Sequence, residues 1–403
     1  MSDPNNKDIN YYYPTNDLVT APEIMFFWVA RMIISGYEYL GEKPFKNVYY
    51  TGIVRDKQGR KMSKSLGNSP DPIKMMEEHG ADAVRVGMLL SSPAGNDLLF
   101  DISLIEQGRN FANKVWNAFR LVDMWEVDDN LAPNDSQLLA EQWFENRFNS
   151  ALIEINRLYS EFRISDALMA TYKLVWDDFC SWYLELVKPA YQQAISLQAK
   201  EKTIYFFENV LKVLHPFMPF ISEEIWQVIK ERKPEDALIV SDWPSIGDID
   251  ENLLFQFETT RDVVSNIRKI RKEKNISFKD AIELKIRKGA DNDTRFDASI
   301  IQLCNIDALE YTSESIDNAF SFVVKNNEYF IPFSENIDVE GEIEKIKEEL
   351  EYTRGFLNSV NKKLENKRFV DNAPAKVVEM ENSKKEDAVS KIRILEEKLK
   401  SFS

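Results

Sequence analysis

Two residue types that build cross-linked or reactive sites are scarce in this sequence, which has two cysteines and two histidines in 403 residues. Cys180 and Cys304 lie far apart and without companions. This argues against a disulfide framework and a cysteine-rich zinc site, and it favours two core thiols. His79 and His215 are too few for a catalytic or metal constellation. We therefore expect no metal site.

A long apolar run is also missing. No stretch approaches the roughly 20 apolar residues that a membrane-spanning helix needs. The first residues show neither a basic amphipathic segment nor an apolar segment followed by a cleavage site. We therefore expect a cytoplasmic protein without a membrane partner.

The sequence has no excess of basic charge either. Its formal net charge is −16, the wrong sign for a protein that neutralises nucleic-acid phosphates with Lys and Arg. Net charge hides local patches, however, and the lysines cluster in places. The acidic balance therefore does not exclude an RNA-binding surface.

The chain is long enough for roughly two to four structural units. Near its start, residues 47–54 are β-branched and aromatic and predict a buried strand, whereas residues 23–35 predict a buried helix that ends near Gly36. Residues 71–90 carry a second helical pattern, interrupted by Gly80. A strand between helices predicts an α/β layer structure.

Beyond residue 102 the pattern becomes helical, then mixed, then helical again. Four amphipathic segments predict an antiparallel helical bundle with aromatic residues in its core: 110–125, 141–162, 164–188 and 200–230. Residues 255–339 combine a basic helix with short β-prone runs, which is typical of a small α/β unit. From residue 340, apolar residues step by threes and fours, break at 372–374 and resume. This predicts a coiled-coil hairpin.

The most specific pattern is the glycine-flanked segment of residues 59–68, GRKMSKSLGN, here called the lysine loop. Lys61 and Lys64 lie three residues apart, so both ammonium groups can face one polyphosphate while the backbone stays free to close over it. A generic lysine pair at this spacing is more often a solvated basic loop. The full pentapeptide KMSKS shifts the balance toward phosphate chemistry.

KMSKS resembles the second signature of class I aminoacyl-tRNA synthetases, and it follows a predicted strand as that family requires. The resemblance implies adenylate formation, in which charge builds on the departing pyrophosphate. It makes Lys61 and Lys64 the catalytic residues that stabilise this charge. In the implied ATP site, Met62 anchors the loop, while Ser63 and Ser65 offer hydroxyls to phosphate or to the loop itself.

Upstream, residues 14–32 are similar to the segment that precedes the lysine loop in valyl-tRNA synthetases. The resemblance implies that Glu23 contacts the adenylate ribose in the ATP site and that Trp28 walls the amino-acid pocket. The sequence departs from the family pattern with Ala21 where glycine is common and Glu23 where aspartate is common. For Trp28, a buried core indole is the alternative.

Downstream, the resemblance extends through the helical anticodon-binding part to a tRNA-binding arm. Leucyl- and isoleucyl-tRNA synthetases share the lysine loop and helical part, whereas residues 349–378 resemble the arm of the valine family. Two basic clusters are the expected tRNA contacts, with a solvated charged face as the alternative. They are Arg268, Lys269, Arg271, Lys272 and Lys274, and then Lys362, Lys363, Lys367 and Arg368.

The resemblance implies a mixed, mainly α fold with four regions. These are a Rossmann-like α/β catalytic half (1–102), a helical anticodon-binding domain (103–254), a small α/β unit (255–339) and an antiparallel coiled-coil arm (340–403). Its implied partners are ATP with Mg²⁺, valine and tRNA(Val), and the full-length relative is expected to be a monomer.

The family's first signature, a His-x-Gly-His element, does not occur in this sequence, nor does an editing insert. We therefore expect this polypeptide alone to be inactive in forming valyl-adenylate, and we expect the region from Tyr11 to Leu40 to cause association. A stand-alone tRNA-binding module without enzymatic activity, or an isoleucyl- or leucyl-type fragment, is the alternative.

Overall fold

The computed structural model describes residues 5–91, 97–233, 235–287, 294–316, 318–332, 339–365 and, between 381 and 396, residues 381, 382, 384, 385, 388, 389, 392 and 396. The side chains of Lys64, residues 339–346 and residue 349 lie outside this description. The fold is mainly helical with small sheets. Contacts divide the chain into two units, Met1–Leu254 and Phe255–Ser403. Within the described part, no helix is both long and apolar enough to cross a membrane.

The first unit begins with a short helix and a parallel strand pair. After α1 (Lys7–Tyr12), strand β1 (Thr15–Thr20) pairs in parallel with β2 (Phe45–Tyr50), with Thr20 opposite Tyr50. Helix α2 (Val29–Leu40) connects the two strands. A strand, a crossover helix and a parallel strand form the βαβ arrangement that the mixed α/β pattern predicted.

Helix α2 differs from its predicted limits at both ends. Residues Pro22–Ile24 form a separate 3-10 turn. The helix ends at Leu40 and is followed by Gly41, whose φ of 78° is left-handed and suits glycine. Gly36, expected at the helix end, lies inside it. A Cβ there would lie 2.7 Å from the hydroxyl oxygen of Tyr13, so this glycine permits close packing.

The predicted strand at 47–54 is divided. Strand β2 ends at Tyr50, and β3 (Val54–Arg55) pairs in parallel with β4 (Leu98–Leu99). Between β3 and β4, helices α3 (Pro72–His79) and α4 (Ala81–Leu90) confirm the predicted helical pattern. Gly80 separates the two helices with a φ of 91°.

Helices occupy the segments in which amphipathic periodicity predicted them. Two predicted helices are interrupted: residues 174–183 adopt a π-helix, and a turn after Leu214 leads to Pro219, which begins the next helix because proline fits its first position. The elements are α5 (Ile102–Asp123), α6 (Asp135–Ser160), α7 (Ile164–Lys173), the π-helix Leu174–Tyr183, α8 (Leu184–Val187), α9 (Leu197–Leu214) and α10 (Pro219–Val228). Two-residue strands that the sequence did not predict, β5 (Val127–Asp128) and β6 (Ile195–Ser196), also pair.

The core between these helices is aromatic, as the helical spacing predicted. The ring of Phe144 lies 4.8 Å from that of Tyr183 and 5.1 Å from that of Phe206. The buried Tyr183 hydroxyl lies 2.9 Å from the hydroxyl of Thr203, so its polar end is satisfied.

The second unit contains a four-stranded sheet of order β8-β7-β10-β9. The parallel pair is β7 with β8, and the other two pairings are antiparallel. Leu284, Phe330 and Ile331 are buried in its core. The elements are α11 (Glu251–Glu273), whose first four residues belong to the first unit, β7 (Ile282–Arg287), α12 (Asp297–Cys304), β8 (Ile306–Thr312), β9 (Ala319–Val324) and β10 (Asn327–Pro332).

The end of the chain contains helix α13 (Val339–Glu365) and helical residues between 381 and 396. Arg354 forms an ion pair with Glu396, and Lys363 lies 3.7 Å from Glu381. Because the partner numbers fall as the numbers along α13 rise, the two segments run antiparallel. The predicted break at 372–374 lies outside the described residues.

Candidate functional site

The lysine loop begins as a tight reversal at the end of β3. The backbone N–H of Asp56 donates to the carbonyl oxygen of Arg60 at 2.9 Å, and Gly59 turns the chain with a φ of 76°. Lys61 then forms an antiparallel bridge with Arg55. The first lysine is therefore held beside the carboxyl end of a strand.

The carboxylate of Asp56 organises this reversal from within. It accepts hydrogen bonds from the backbone N–H groups of Gln58 (3.0 Å) and Arg60 (2.9 Å), from Nε of Arg60 (2.8 Å) and from Nδ2 of Asn68 (2.9 Å). The Asn68 bond is the largest of the causes that lower the pKa of Asp56 to about 2. Asp56 is therefore ionised at neutral pH, although the residue is only 9% exposed.

The second half of the lysine loop contains a 3-10 turn (Lys64–Leu66), which is closed by hydrogen bonds between residues close in sequence. The backbone N–H of Ser63 donates to Oδ1 of Asn68 at 3.0 Å, and the N–H of Leu66 donates to Oγ of Ser63 at 3.2 Å. The Ser63 and Ser65 hydroxyls lie 3.1 Å apart. Both hydroxyls therefore have a contact within the loop.

The basic side chains around the lysine loop differ in their partners. Arg55 pairs with Asp97, Lys57 lies 3.1 Å from Asp101, and Arg60 lies 2.8 Å from Asp56. Lys61 is exposed, and among the described residues no carboxylate forms an ion pair with it. Its ammonium group is thus left available to an external anion. The side chain of Lys64, the second predicted catalytic residue, lies outside the described residues.

Met62 is half-buried and lines a shallow cavity of about 370 Å³ together with Phe100 and Ile102. Its backbone N–H donates to the carbonyl oxygen of Val54 at 3.5 Å. The loop is thus attached at its base and at Met62, while Lys61 faces solvent.

Glu23 and Trp28 lie in the connection between the parallel strands β1 and β2. Glu23 sits in the 3-10 turn that follows β1, and the N–H of Thr51, just after β2, donates to the carbonyl oxygen of Thr20 at 2.9 Å. The segments after these two parallel strands therefore leave from one edge, where ligands bind in open α/β sheets.

Trp28 is 57% exposed, which excludes the core role considered for it within this chain. Phe26 and Phe27 beside it are also exposed. Glu23 is exposed as well. A contiguous run of exposed aromatic residues is unusual on a protein surface unless another molecule or segment covers it.

The basic segment formed by the end of α11 and the next residue, Lys274, contains two kinds of cation. Arg268, Lys269 and Lys272 are exposed, and Lys274 is half-buried with its ammonium nitrogen 4.8 Å from the ring centre of Phe320. Lys269 lies 4.0 Å from Glu273, an exposed pair that contributes little to stability. These four side chains can meet an external anion.

Arg271 differs from these neighbours and corrects the expected contact set. It is 3% exposed, and its guanidinium donates to four backbone carbonyl oxygens. Those of Ser277, Asp280, Cys304 and Asn305 lie 2.7, 2.8, 2.8 and 3.1 Å away. A guanidinium that is enclosed in this way fastens two chain segments together and cannot reach RNA phosphates.

In the predicted arm, Lys362 and Lys363 are exposed on α13, and Lys363 is 3.7 Å from Glu381. The other two expected contacts, Lys367 and Arg368, lie outside the described residues.

Both cysteines are buried and free, as expected of core thiols. Burial raises the pKa of Cys180 to about 12 and that of Cys304 to about 11, so neither is a reactive thiolate at neutral pH.

Sequence reasoning missed Asp56 and Asn68, which flank the lysines and hold the loop. An aspartate directly after a strand and before a glycine turn could have indicated Asp56, since such side chains commonly accept backbone N–H groups. The sequence gives no comparable sign that Asn68, twelve residues later, returns to the same carboxylate.

Three protein-family models match consecutive parts of the chain. "tRNA synthetases class I (I, L, M and V)" matches residues 1–101, "Anticodon-binding domain of tRNA ligase" matches 141–286, and "Valyl tRNA synthetase tRNA binding arm" matches 338–403. Along the whole chain, a valine–tRNA ligase of Christiangramia forsetii is 58% identical over 401 residues. Over its whole length, this chain is homologous to part of the valine–tRNA ligases.

Other valine–tRNA ligases give the same result at lower identity. That of Parabacteroides distasonis is 52% identical and covers 100% of the chain, and that of Clostridium acetobutylicum is 36% identical and covers 98%. In each case the chain covers 46% of the relative. The chain therefore spans about half the length of the valine–tRNA ligases that it matches.

Two solved synthetase structures are more distant. A ternary complex of Agrobacterium radiobacter K84 agnB2 LeuRS with tRNA and LeuAMS has 21% identity and a TM-score of 0.45, and covers 60% of this chain and 30% of that one. Mycobacterium tuberculosis methionyl-tRNA synthetase with methionyl-adenylate has 18% identity and a TM-score of 0.43, and covers 59% and 48%.

Proposed function

We propose that this chain supplies the lysine loop and the tRNA-binding part of a valine–tRNA ligase. In the proposed reaction, Mg²⁺-bound ATP and valine give valyl-adenylate and pyrophosphate, and a terminal ribose hydroxyl of tRNA(Val) then accepts the valyl group. The observation that carries the proposal is Lys61, the exposed cation of a fixed loop at a strand end, in a chain that is 58% identical to a valine–tRNA ligase.

The lysine loop acts in the first step. The valine carboxylate attacks the α-phosphorus, the bond to the bridging oxygen breaks, and negative charge grows on the departing pyrophosphate. Lys61 and Lys64 stabilise that charge, and such a contact contributes most when it forms in the transition state. Removing one contact of this kind commonly costs roughly 3 kcal/mol, about a hundredfold in rate. Met62, Ser63 and Ser65 maintain the shape of the loop around the ATP phosphates.

Glu23 and Trp28 complete this chain's share of the site. Glu23 binds a ribose hydroxyl of the adenylate with its carboxylate, and Trp28 forms one wall of the valine pocket. The exposed aromatic surface beside Trp28 supports this role, because a pocket wall must be open to a ligand or to the segment that completes the pocket.

In the finer architecture we propose, residues 1–102 are the second half of the Rossmann-like catalytic domain and residues 103–254 recognise the anticodon. Residues 255–339 form a small α/β domain that connects the anticodon-binding domain to the coiled-coil arm of residues 340–403. The tRNA meets the cations at and just after the end of α11 and those of the arm, namely Arg268, Lys269, Lys272, Lys274, Lys362 and Lys363. Lys367 and Arg368 extend the arm surface. The complete enzyme is proposed to be a cytoplasmic monomer.

Valine-dependent exchange of labelled pyrophosphate into ATP tests the first step. This chain alone is expected to give no exchange above background, and exchange is expected when it is joined to the remaining part of the Christiangramia forsetii relative. Exchange by the chain alone would refute our division of the active site.

A stand-alone tRNA-binding module is the second candidate, supported by the matches to an anticodon-binding domain and a tRNA-binding arm. Filter binding with valine and isoleucine tRNAs separates the candidates. Preference for the valine tRNA, without exchange in the joined protein, would favour the module. The 52–58% identity to valine–tRNA ligases disfavours an isoleucyl or leucyl fragment.

A further inference from the structure

We propose that Asp56 and Asn68 form a positioning pair that fixes the lysine loop in the conformation that binds polyphosphate. The two side chains are twelve residues apart in sequence, and Nδ2 of Asn68 donates to Oδ2 of Asp56 at 2.9 Å. This bond joins the beginning of the reversal to the end of the lysine loop. The inference rests on the proposed function where it concerns polyphosphate.

A single amide side chain holds the loop backbone on both sides of Met62. Oδ1 of Asn68 accepts from the backbone N–H of Ser63 at 3.0 Å, and Nδ2 also lies 3.4 Å from the carbonyl oxygen of Lys61. Asn68 therefore sets the directions of the peptide groups next to the catalytic Lys61. A residue without both a donor and an acceptor cannot make this set of contacts.

The Asp56 carboxylate is itself paired with a cation other than the two lysines. It pairs with the guanidinium of Arg60 at 2.8 Å, while Lys57 is paired with Asp101. The nearby acids are therefore occupied by other cations, and the described loop presents Lys61 without a carboxylate partner. The pair thus fixes the shape of the loop and leaves Lys61 without a carboxylate partner. Neither member is proposed to touch substrate.

The test uses the full chain and measures trypsin cleavage after Lys61 and after Lys64 by mass spectrometry, with and without inorganic tripolyphosphate. Asn68→Ala is expected to speed cleavage about tenfold, as for the loss of hydrogen bonds in a half-buried site. It is also expected to raise the tripolyphosphate concentration needed for protection about tenfold. Asn130→Ala is the matched control, because Asn130 also bonds to an aspartate, Asp128, but lies far from the loop in sequence.

Exchanged partners distinguish positioning from general loss of folding. Asn68→Asp opposes two carboxylates and should loosen the loop at pH 7. Its cleavage rate relative to the original chain should fall at pH 5, where one shared proton restores a hydrogen bond. Combining it with Asp56→Asn re-forms the bond between positions 56 and 68, but not the contact with the Lys61 carbonyl oxygen or the Arg60 ion pair. Cleavage at pH 7 should therefore fall below that of Asn68→Asp alone and tripolyphosphate protection should improve, without either returning to its original value.

The possible outcomes separate the two ideas. Equal cleavage of the original chain and Asn68→Ala, or an exchanged pair cleaved as fast at pH 7 as Asn68→Asp alone, would overturn the positioning pair. Cleavage that responds as expected, without any protection of the original chain by tripolyphosphate, would overturn both the polyphosphate part of this inference and the proposed role of Lys61 and Lys64.

Discussion

Replacing Arg271 by methionine tests whether this arginine is structural. The substitution keeps most of the buried length and removes the donors to four carbonyl oxygens in the segments 277–280 and 304–305. Each bond from a charged donor is worth roughly 1.5–3 kcal/mol, but bonds from one group are not additive. We therefore expect the second unit to lose about 3–5 kcal/mol of unfolding free energy.

Urea unfolding of the full chain, followed by hydrogen exchange in peptides that cover β7 and β8, measures this loss. With a slope of roughly 2 kcal/mol per molar, the midpoint should fall by about 1.5–2.5 M. Lys272→Met is the matched control, because Lys272 is the exposed neighbour and also loses one charge. It should change stability by less than about 0.5 kcal/mol and weaken tRNA binding. A midpoint for Arg271→Met equal to that of the control would refute the structural role.

Three further predictions concern the first unit. Burial raises the pKa of Glu141 from 4.5 to about 7, and of the two neighbouring charges Lys202 lowers this pKa and Glu145 raises it. The stability contributed by the neutral carboxyl group is therefore fully present below pH 4.5 and is lost as pH rises through 7, where the buried group ionises. Glu141→Gln should therefore add roughly 2–3 kcal/mol at pH 8 and almost nothing at pH 4.5, as measured by denaturation. Gly36→Ala should lower stability by about 1–3 kcal/mol in the same assay, since its Cβ would lie 2.7–2.9 Å from three atoms. The exposed aromatic surface should cause concentration-dependent association in sedimentation velocity, which Phe26→Ser with Phe27→Ser should reduce; a monodisperse original chain would contradict this.

Local patterns predicted much of the fold. Helices α3 to α10 and the break at Gly80 followed from local patterns, because amphipathic spacing and a glycine with positive φ are local properties, whereas α1 was not predicted. The predicted end of α2 was wrong because the local sequence does not distinguish Gly36 from Gly41. Only the packing of Tyr13 against Gly36 distinguishes a contact glycine from a helix-ending one.

The candidate site was predictable only in part. KMSKS identified the lysine loop, but the Asp56–Asn68 bond depends on how a twelve-residue segment folds back, which no periodicity encodes. Arg271 was grouped with its exposed neighbours because of its charge. Its spacing from the buried Thr260, Val264 and Ile267 by steps of four and three could have placed it on the inner face of α11.

The most direct test of the account is the effect of Lys61→Ala on valine-dependent pyrophosphate exchange. It should be measured in the protein formed by joining this chain to the remaining part of a valine–tRNA ligase relative, with Lys57→Ala as the control, since Lys57 is already paired with Asp101. We predict that Lys61→Ala lowers the exchange rate about a hundredfold or more and that the control stays within about threefold. Equal rates for Lys61→Ala and the unsubstituted protein would contradict the account.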